Sequence, residues 1–173
     1  MYCVSNAATP PIDSKVFRSV FGHLPTGVAI VTGKGPSDEP LGITIGSFAS
    51  ISLDPPLAGF FIGRASRTWP LIAARGAFTA NVLNAEQSEL CWRFAKDATD
   101  GSRFSGIQVA ASGNGSPVLP GAVATIDCTV QATHTLGDHD LVVGAVTGVQ
   151  VRNTSQPSMV FYKGKTGDAR IES

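Results

Sequence analysis

The sequence predicts a mainly β protein: an antiparallel barrel, closed or split, with short helices inserted between the strands. Three observations carry this. Six or seven runs of β-branched or alternating apolar residues recur along the chain. Clusters of Gly, Pro, Asn and Asp separate them, which favours antiparallel pairing and a barrel over a sandwich. The segments with helical spacing are short and scattered among the strands.

The elements follow in order. Residues 14–24, "SKVFRSVFGHL", space Val16, Phe17, Val20, Phe21 and Leu24 as one helical face. Asp13 or Ser14 caps the start and Pro25 ends it. "GVAIVTG" (27–33) is a β-branched strand, and "KGPSDEP" (34–40) is a polar turn. "LGITIGSFASISLDPP" (41–56) reads as one strand with a face of Gly42, Thr44, Gly46, Ser47 and Ser50, and it carries no charge before Asp54. "PLAGFFIG" (56–63) reads as a strand buried on both faces. "RTWPLIAARG" (67–76) is a short helix with Thr68 near its cap and Gly76 past its end. "AFTANVL" (77–83) is a strand. Asn84 is placed to cap a helix running to about Lys96, with Gln87 in capping-box position. Residues 97–120 form a long loop with one helical turn. "ATIDCTVQAT" (124–133) alternates strictly, with Ala124, Ile126, Cys128, Val130 and Ala132 facing one way. "LGDHD" (136–140) is a turn. The strand at 141–153 carries two glycines that mark a bend or bulge. "SMVFYKG" (158–164) is the last strand, followed by a polar tail.

The 173 residues suggest one domain over 14–173, with residues 1–13 as a loose arm. Hydrophobic residues make up 43% and charged ones only 15%, too little charge to cover a monomer of this size. Part of the surface is therefore expected to be buried against a second copy in a homodimer. The 13 basic and 13 acidic residues balance, and no basic run exists, so nucleic acid is not expected as a partner. No apolar stretch reaches about 18 residues, so no membrane-spanning helix is expected. The N-terminus lacks the basic and apolar parts of a signal peptide. Cys3, Cys91 and Cys128 have no CxxC spacing and suit a reducing cytoplasm. Three scattered histidines make no metal site.

The glycine-and-hydroxyl ribbon at 42–50 has two uses. Small residues let another backbone approach, or bare amides and hydroxyls face a planar ligand rich in acceptors. The order "PTGVAIVT", "GITIGSFASISLDPPL", "SRT", "FTANVL", "RFA", "RF", "GDH" and "FYKG" resembles the flavin reductase-like family from Phe17 to Gly164. That resemblance implies an FMN-binding split barrel and the reductase component of a two-component flavin monooxygenase. It implies NADH or NADPH as hydride donor and FMN or FAD as acceptor. Reduced flavin would then pass to the monooxygenase by diffusion. By the same resemblance, Thr44, Ile45, Gly46 and Ser47 line the isoalloxazine edge, and Ser50 lies near the ribityl chain or phosphate. Ser66, Arg67 and Thr68 open a short helix where a phosphate would sit. Asn81 is placed near the flavin, and Arg103 is a second cation near the flavin tail or a solvated loop residue. His139, flanked by Asp138 and Asp140, would seat the nicotinamide, its neighbours fixing its ring. Tyr162 would edge that pocket, while Phe161, Trp69 and Trp92 read as packing or interface. A flavin- or haem-holding module without turnover is the alternative, and the Gly-Asp-His element argues against it. No G-x-G-x-x-G follows a strand, so no Rossmann site is expected.

Overall fold

The computed structural model describes residues 11–170. The expected N-terminal arm lies outside them for residues 1–10, as does Cys3. The chain runs α1 (Ser14–Phe21), β1 (Thr26–Gly27), β2 (Ala29–Lys34), β3 (Pro40–Ile45), β4 (Ala49–Leu53) and β5 (Pro56–Gly63). Next come α2 (Thr68–Ala73), β6 (Ala77–Val82), α3 (Ser88–Ala95) and a 3₁₀ turn at Ser102–Phe104. Short strands β7 (Ala110–Ala111) and β8 (Pro117–Val118) pair within the long loop. The last strands are β9 (Ala124–Leu136), β10 (His139–Val151), β11 (Met159–Tyr162) and β12 (Lys165–Asp168).

Seven strands form one sheet in the order β3-β2-β6-β9-β10-β5-β4, with every pair antiparallel. The first and last strands of that order, β3 and β4, are joined by residues 46–48 alone. Three residues cannot bridge the two edges of a flat sheet, so the sheet must roll until its edges meet. Leu41 and Ile45 of β3 accordingly share one buried cluster with Phe60 and Ile62 of β5. That cluster also holds Val31, Phe78, Cys128 and Val142, with Trp69 and Ile72 of α2 packed against it.

Strand β2 explains why "GVAIVTG" reads as an unbroken apolar run. Ala29 and Val31 point into the barrel, while Val28 and Ile30 point outward into a second cluster. Cys91 and Phe94 of α3, Leu83, Phe104, Leu119 and Met159 complete that cluster. A small sheet of β1, β11 and β12 flanks it.

Several elements differ from the sequence reading, each for a physical reason. The ribbon at 41–56 is two strands, because closure requires a break at 46–48. Strand β5 is not buried on both faces, since Phe61 is exposed. The expected cap at Asn84 makes half of a capping box: its N–H donates to Gln87 Oε1 at 2.9 Å. Its own Oδ1 accepts instead from Glu86 N–H, so Asn84 builds a turn and the helix begins at Ser88. The expected alternation holds on β9 from Cys128 to Thr133 but fails before it, where Thr125 is buried and loop residues Gly113 and Asn114 bond to Asp127 and Cys128. The polar tail supplies β12, which pairs with β11 from Met159–Asp168 to Tyr162–Lys165. The two glycines of β10 do mark bulges: the register with β9 slips at Val143/Gly144 and Val146/Gly148.

Candidate active site

The candidate residues gather at one end of the barrel, around the break between β3 and β4. The outward side of β3 is small for two separate reasons. A Cβ on Gly42 would come within 2.9 Å of the Phe94 ring, so glycine there lets α3 lie close. Thr44 Oγ1 donates to the Cys91 carbonyl at 2.7 Å, fastening the same helix. Past the helix the ribbon opens, and Gly46 is exposed.

Strand pairing on β3 ends at Ile45, whose own side chain is core. No loop or turn hydrogen bond among the described residues uses the N–H groups of Gly46, Ser47 or Phe48. Ser47 instead ties the break to β5: its Oγ accepts from Phe61 N–H at 2.9 Å and lies 3.3 Å from the Phe61 carbonyl. Beside the break is an apolar cleft of about 190 Å³ lined by Val28, Thr44, Gly46, Cys91, Trp92 and Phe161, among others. Trp92 is 46% exposed and also lines a wider groove with Arg93, Lys96, Ser102 and Arg103. Trp92, read from the sequence as packing or interface, packs edge-on against Phe161 at 5.9 Å and lines the cleft as well.

His139 stands on the same rim. It pairs with Gly63 at the end of β5, two residues or about 7 Å along the strand from Phe61. Its Nδ1 lies 2.7 Å from Asp138 Oδ1, which fixes the ring while half of the side chain stays open. The His139 hydrogen bond and charge hold the Asp138 carboxyl below its usual range. Asp140 plays no part in orienting the ring, since it accepts from Thr135 Oγ1 at 2.8 Å. Arg64 N–H donates to the Asp138 carbonyl and Ser66 N–H to the Gly63 carbonyl, tying the following loop to this turn.

The Ser66–Thr68 segment is more occupied than the sequence suggested. Ser66 Oγ accepts from Trp69 N–H in the first turn of α2. Asp97 sits where an anion would approach: it takes Arg67 Nε at 2.8 Å and Thr68 Oγ1 at 2.7 Å. Burial pushes Asp97 up, but these hydrogen bonds outweigh it and hold the carboxyl below its ordinary value. Arg67 itself remains largely in water.

Arg103 is 6% exposed, which excludes the solvated-loop reading. Its guanidinium donates to the carbonyls of Phe94, Lys96 and Ala98 and to Thr68 Oγ1. It also stacks 5.6 Å from the Phe94 ring centroid. Burial lowers its pKa, partly offset by Asp97 and Asp100. Arg103 therefore frames the site. Asn81 lies in the core instead, fully buried, with Nδ2 near the Ile30 carbonyl and Thr32 Oγ1 and Oδ1 accepting from Leu119 N–H. Its polar atoms hold the 117–120 loop to β6 and leave none for a ligand. Ser50 is exposed on edge strand β4, opposite Ala58.

Residues 21–170 match the family model described as flavin reductase like domain. The chain belongs to that family. A flavin reductase of Pseudomonas putida is 42% identical over 156 residues, 90% of either chain. The flavin-dependent monooxygenase reductase subunit HsaB of Mycobacterium tuberculosis is 40% identical over 88% of this chain and 81% of its own. The solved Streptomyces globisporus NADH:FAD oxidoreductase SgcE6, in complex with NAD and FAD fragments, superimposes with a TM-score of 0.81. It is 31% identical, covering 95% of this chain and 98% of that one.

Proposed function

We propose that this flavin reductase family member transfers a hydride from NADH or NADPH to FMN or FAD and supplies the reduced flavin to a separate monooxygenase. The observation that carries the reading is the break at Gly46–Phe48: three N–H groups without a loop or turn acceptor among the described residues, beside an apolar cleft. That combination fits a flat ring whose one edge is rich in acceptors. The relatives named as flavin reductases and monooxygenase reductase subunits support it.

A bound flavin supplies the electron-accepting ring, and the protein's task is placement. Thr44 and Ser47 fasten the ribbon to α3 and β5 on either side of its amides. Those donors stabilise negative charge that develops on a ring edge. Trp92 and Phe161 exclude water from the apolar side. Ser50, in water at the rim, is the group free to meet a ribityl chain, while Arg67 is exposed but paired with Asp97. His139, held by Asp138 with its other ring face open, seats the nicotinamide so that the reacting atoms approach to about 3–3.5 Å.

Steady-state NADH oxidation with each free flavin tests the reading; no turnover with either would reject it. His139→Ala is expected to raise KM for NADH about tenfold while the flavin Kd stays unchanged, as loss of one positioning contact would. An unchanged KM would remove His139 from the nicotinamide site.

The protein also acts as a homodimer in this proposal. No residue of α1 is buried, and Val16, Phe17, Val20 and Phe21 face outward together. Leu53 on edge strand β4 is 92% exposed, and Ile51 is exposed beside it. Such apolar area suits an obligate interface. Phe17→Asp with Phe21→Asp is expected to halve the mass seen by light scattering. Among the described residues no helix is long and apolar enough to cross a membrane. Cys91 and Cys128 are both free and buried, burial and Asp127 pushing the Cys128 thiol up to about 12, which suits the cytoplasm.

A further inference from the structure

The geometry points to a pyrophosphate-binding cleft between α1 and the β11–β12 turn, made by Lys15, Arg18, His23 and Lys163. These side chains line a space of about 480 Å³ together with Ser19 and Gly22. Among the described residues none of the four forms an ion pair with a carboxylate. Asp13, the acid at the start of α1, is spent as the cap of that helix. In a chain of zero net charge, such a cluster is a local surplus that attracts anions.

The cleft is built rather than incidental. Lys163 N–H donates to the Gly22 carbonyl at 3.0 Å, joining the turn to the helix. His23 Nδ1 donates to the Ser19 carbonyl at 2.8 Å, which leaves Nε2 for a ligand. The ring of Tyr162 lies between them, edge-on to His23 and 5.4 Å from Lys163 Nζ. Lys163 holds φ +47 and Gly164 φ +77 in a two-residue hairpin between Tyr162 and Lys165. Asn or Gly normally takes that first position, so a lysine there bears a conformational cost, offset in part by its contact with the Tyr162 ring. One cation would satisfy the negative end of α1; that need does not explain Lys15, Arg18 and Lys163 together.

The cleft lies next to the proposed ring site and rests on that placement. Phe161 lines the apolar cleft, and Lys163 follows two residues later on the same strand end. A dinucleotide with its ring beside Thr44 and Trp92 therefore carries its pyrophosphate toward Lys163. Meanwhile the α2 N-terminus, the other candidate anion site, already holds Asp97. The shared chemistry is an adenosine diphosphate moiety, which either FAD or the nicotinamide dinucleotide brings.

The test is calorimetric titration of ADP into the full chain and into the triple variant Lys15→Gln, Arg18→Gln, Lys163→Asn. Asn suits the left-handed position, so the turn survives. ADP affinity is expected to fall about tenfold or more. Failure of ADP to bind the parent, or equal binding to both, overturns the cleft. Two further measurements identify the source. A tenfold weaker FAD with unchanged FMN assigns the cleft to flavin; a raised KM for NADH with either flavin at unchanged kcat assigns it to the nicotinamide dinucleotide. FMN has no pyrophosphate, so its binding to the variant reports separately on the ring site.

Discussion

Arg103→Ala is expected to lower the thermal unfolding midpoint by roughly 10 °C. The side chain is buried and serves four acceptors, three of them backbone carbonyls between Phe94 and Ala98. Truncation leaves those acceptors dry and unpaired, and each such group costs about 1–3 kcal/mol. Partial relaxation brings the sum to roughly 3–5 kcal/mol, and about 2–4 °C is lost per kcal/mol in a domain of this size. The effect reaches the site through Asp97, which follows Lys96 and holds both Arg67 and Thr68. Flavin affinity is therefore expected to fall together with stability. Arg103→Lys is the sharper control. It keeps the charge but offers a point donor where a planar fork meets acceptors on two sides, so it recovers only part of the loss. A midpoint unchanged in Arg103→Ala, measured by circular dichroism, would mean that the carbonyls find water and that the guanidinium holds nothing together.

Arg103 also shows where sequence reading stops. Its spacing in "GSRF" places it on a loop, where an arginine is solvated by default. Its burial arises because α3 ends at Ala95 and turns its carbonyls toward the loop, a tertiary event with no local pattern. Asn81 is the converse. A polar amide in an apolar strand signals a partner, and the partner proves to be the 117–120 loop rather than a ligand. What was legible came from local rules. The paired glycines of β10 mark bulges, Asp13 caps α1, and the β-branched run at 27–33 supplies strand β2. The break at 46–48 left one trace in the sequence, a slip in the alternation: apolar residues fall at 41, 43 and 45 and then at 48. Only closure of the barrel, which brings β3 and β4 together, requires the chain to leave the sheet there.

That break also sets up the largest expected effect on function. Ser47→Leu is expected to weaken FMN binding at least about a hundredfold, near 2.7 kcal/mol, in a chain that still folds. The substitution removes the tie to Phe61, which costs about 1–2 kcal/mol, and domains of this kind hold about 5–15. A branched side chain then stands among the Gly46–Phe48 amides and blocks the approach of a flat ring. Ser47→Ala separates the two effects: it loses the same tie, but leaves the space open. The alanine variant is expected to bind FMN within a few-fold of the parent, and both variants are expected to melt within a few degrees of each other. Titration by flavin fluorescence, with a melting curve for each variant, decides the matter. Full affinity in both the leucine and the alanine variant would mean that the ribbon meets no ring. Equal loss in both would mean that the hydroxyl positions β5 for the ligand and that bulk at the break is harmless.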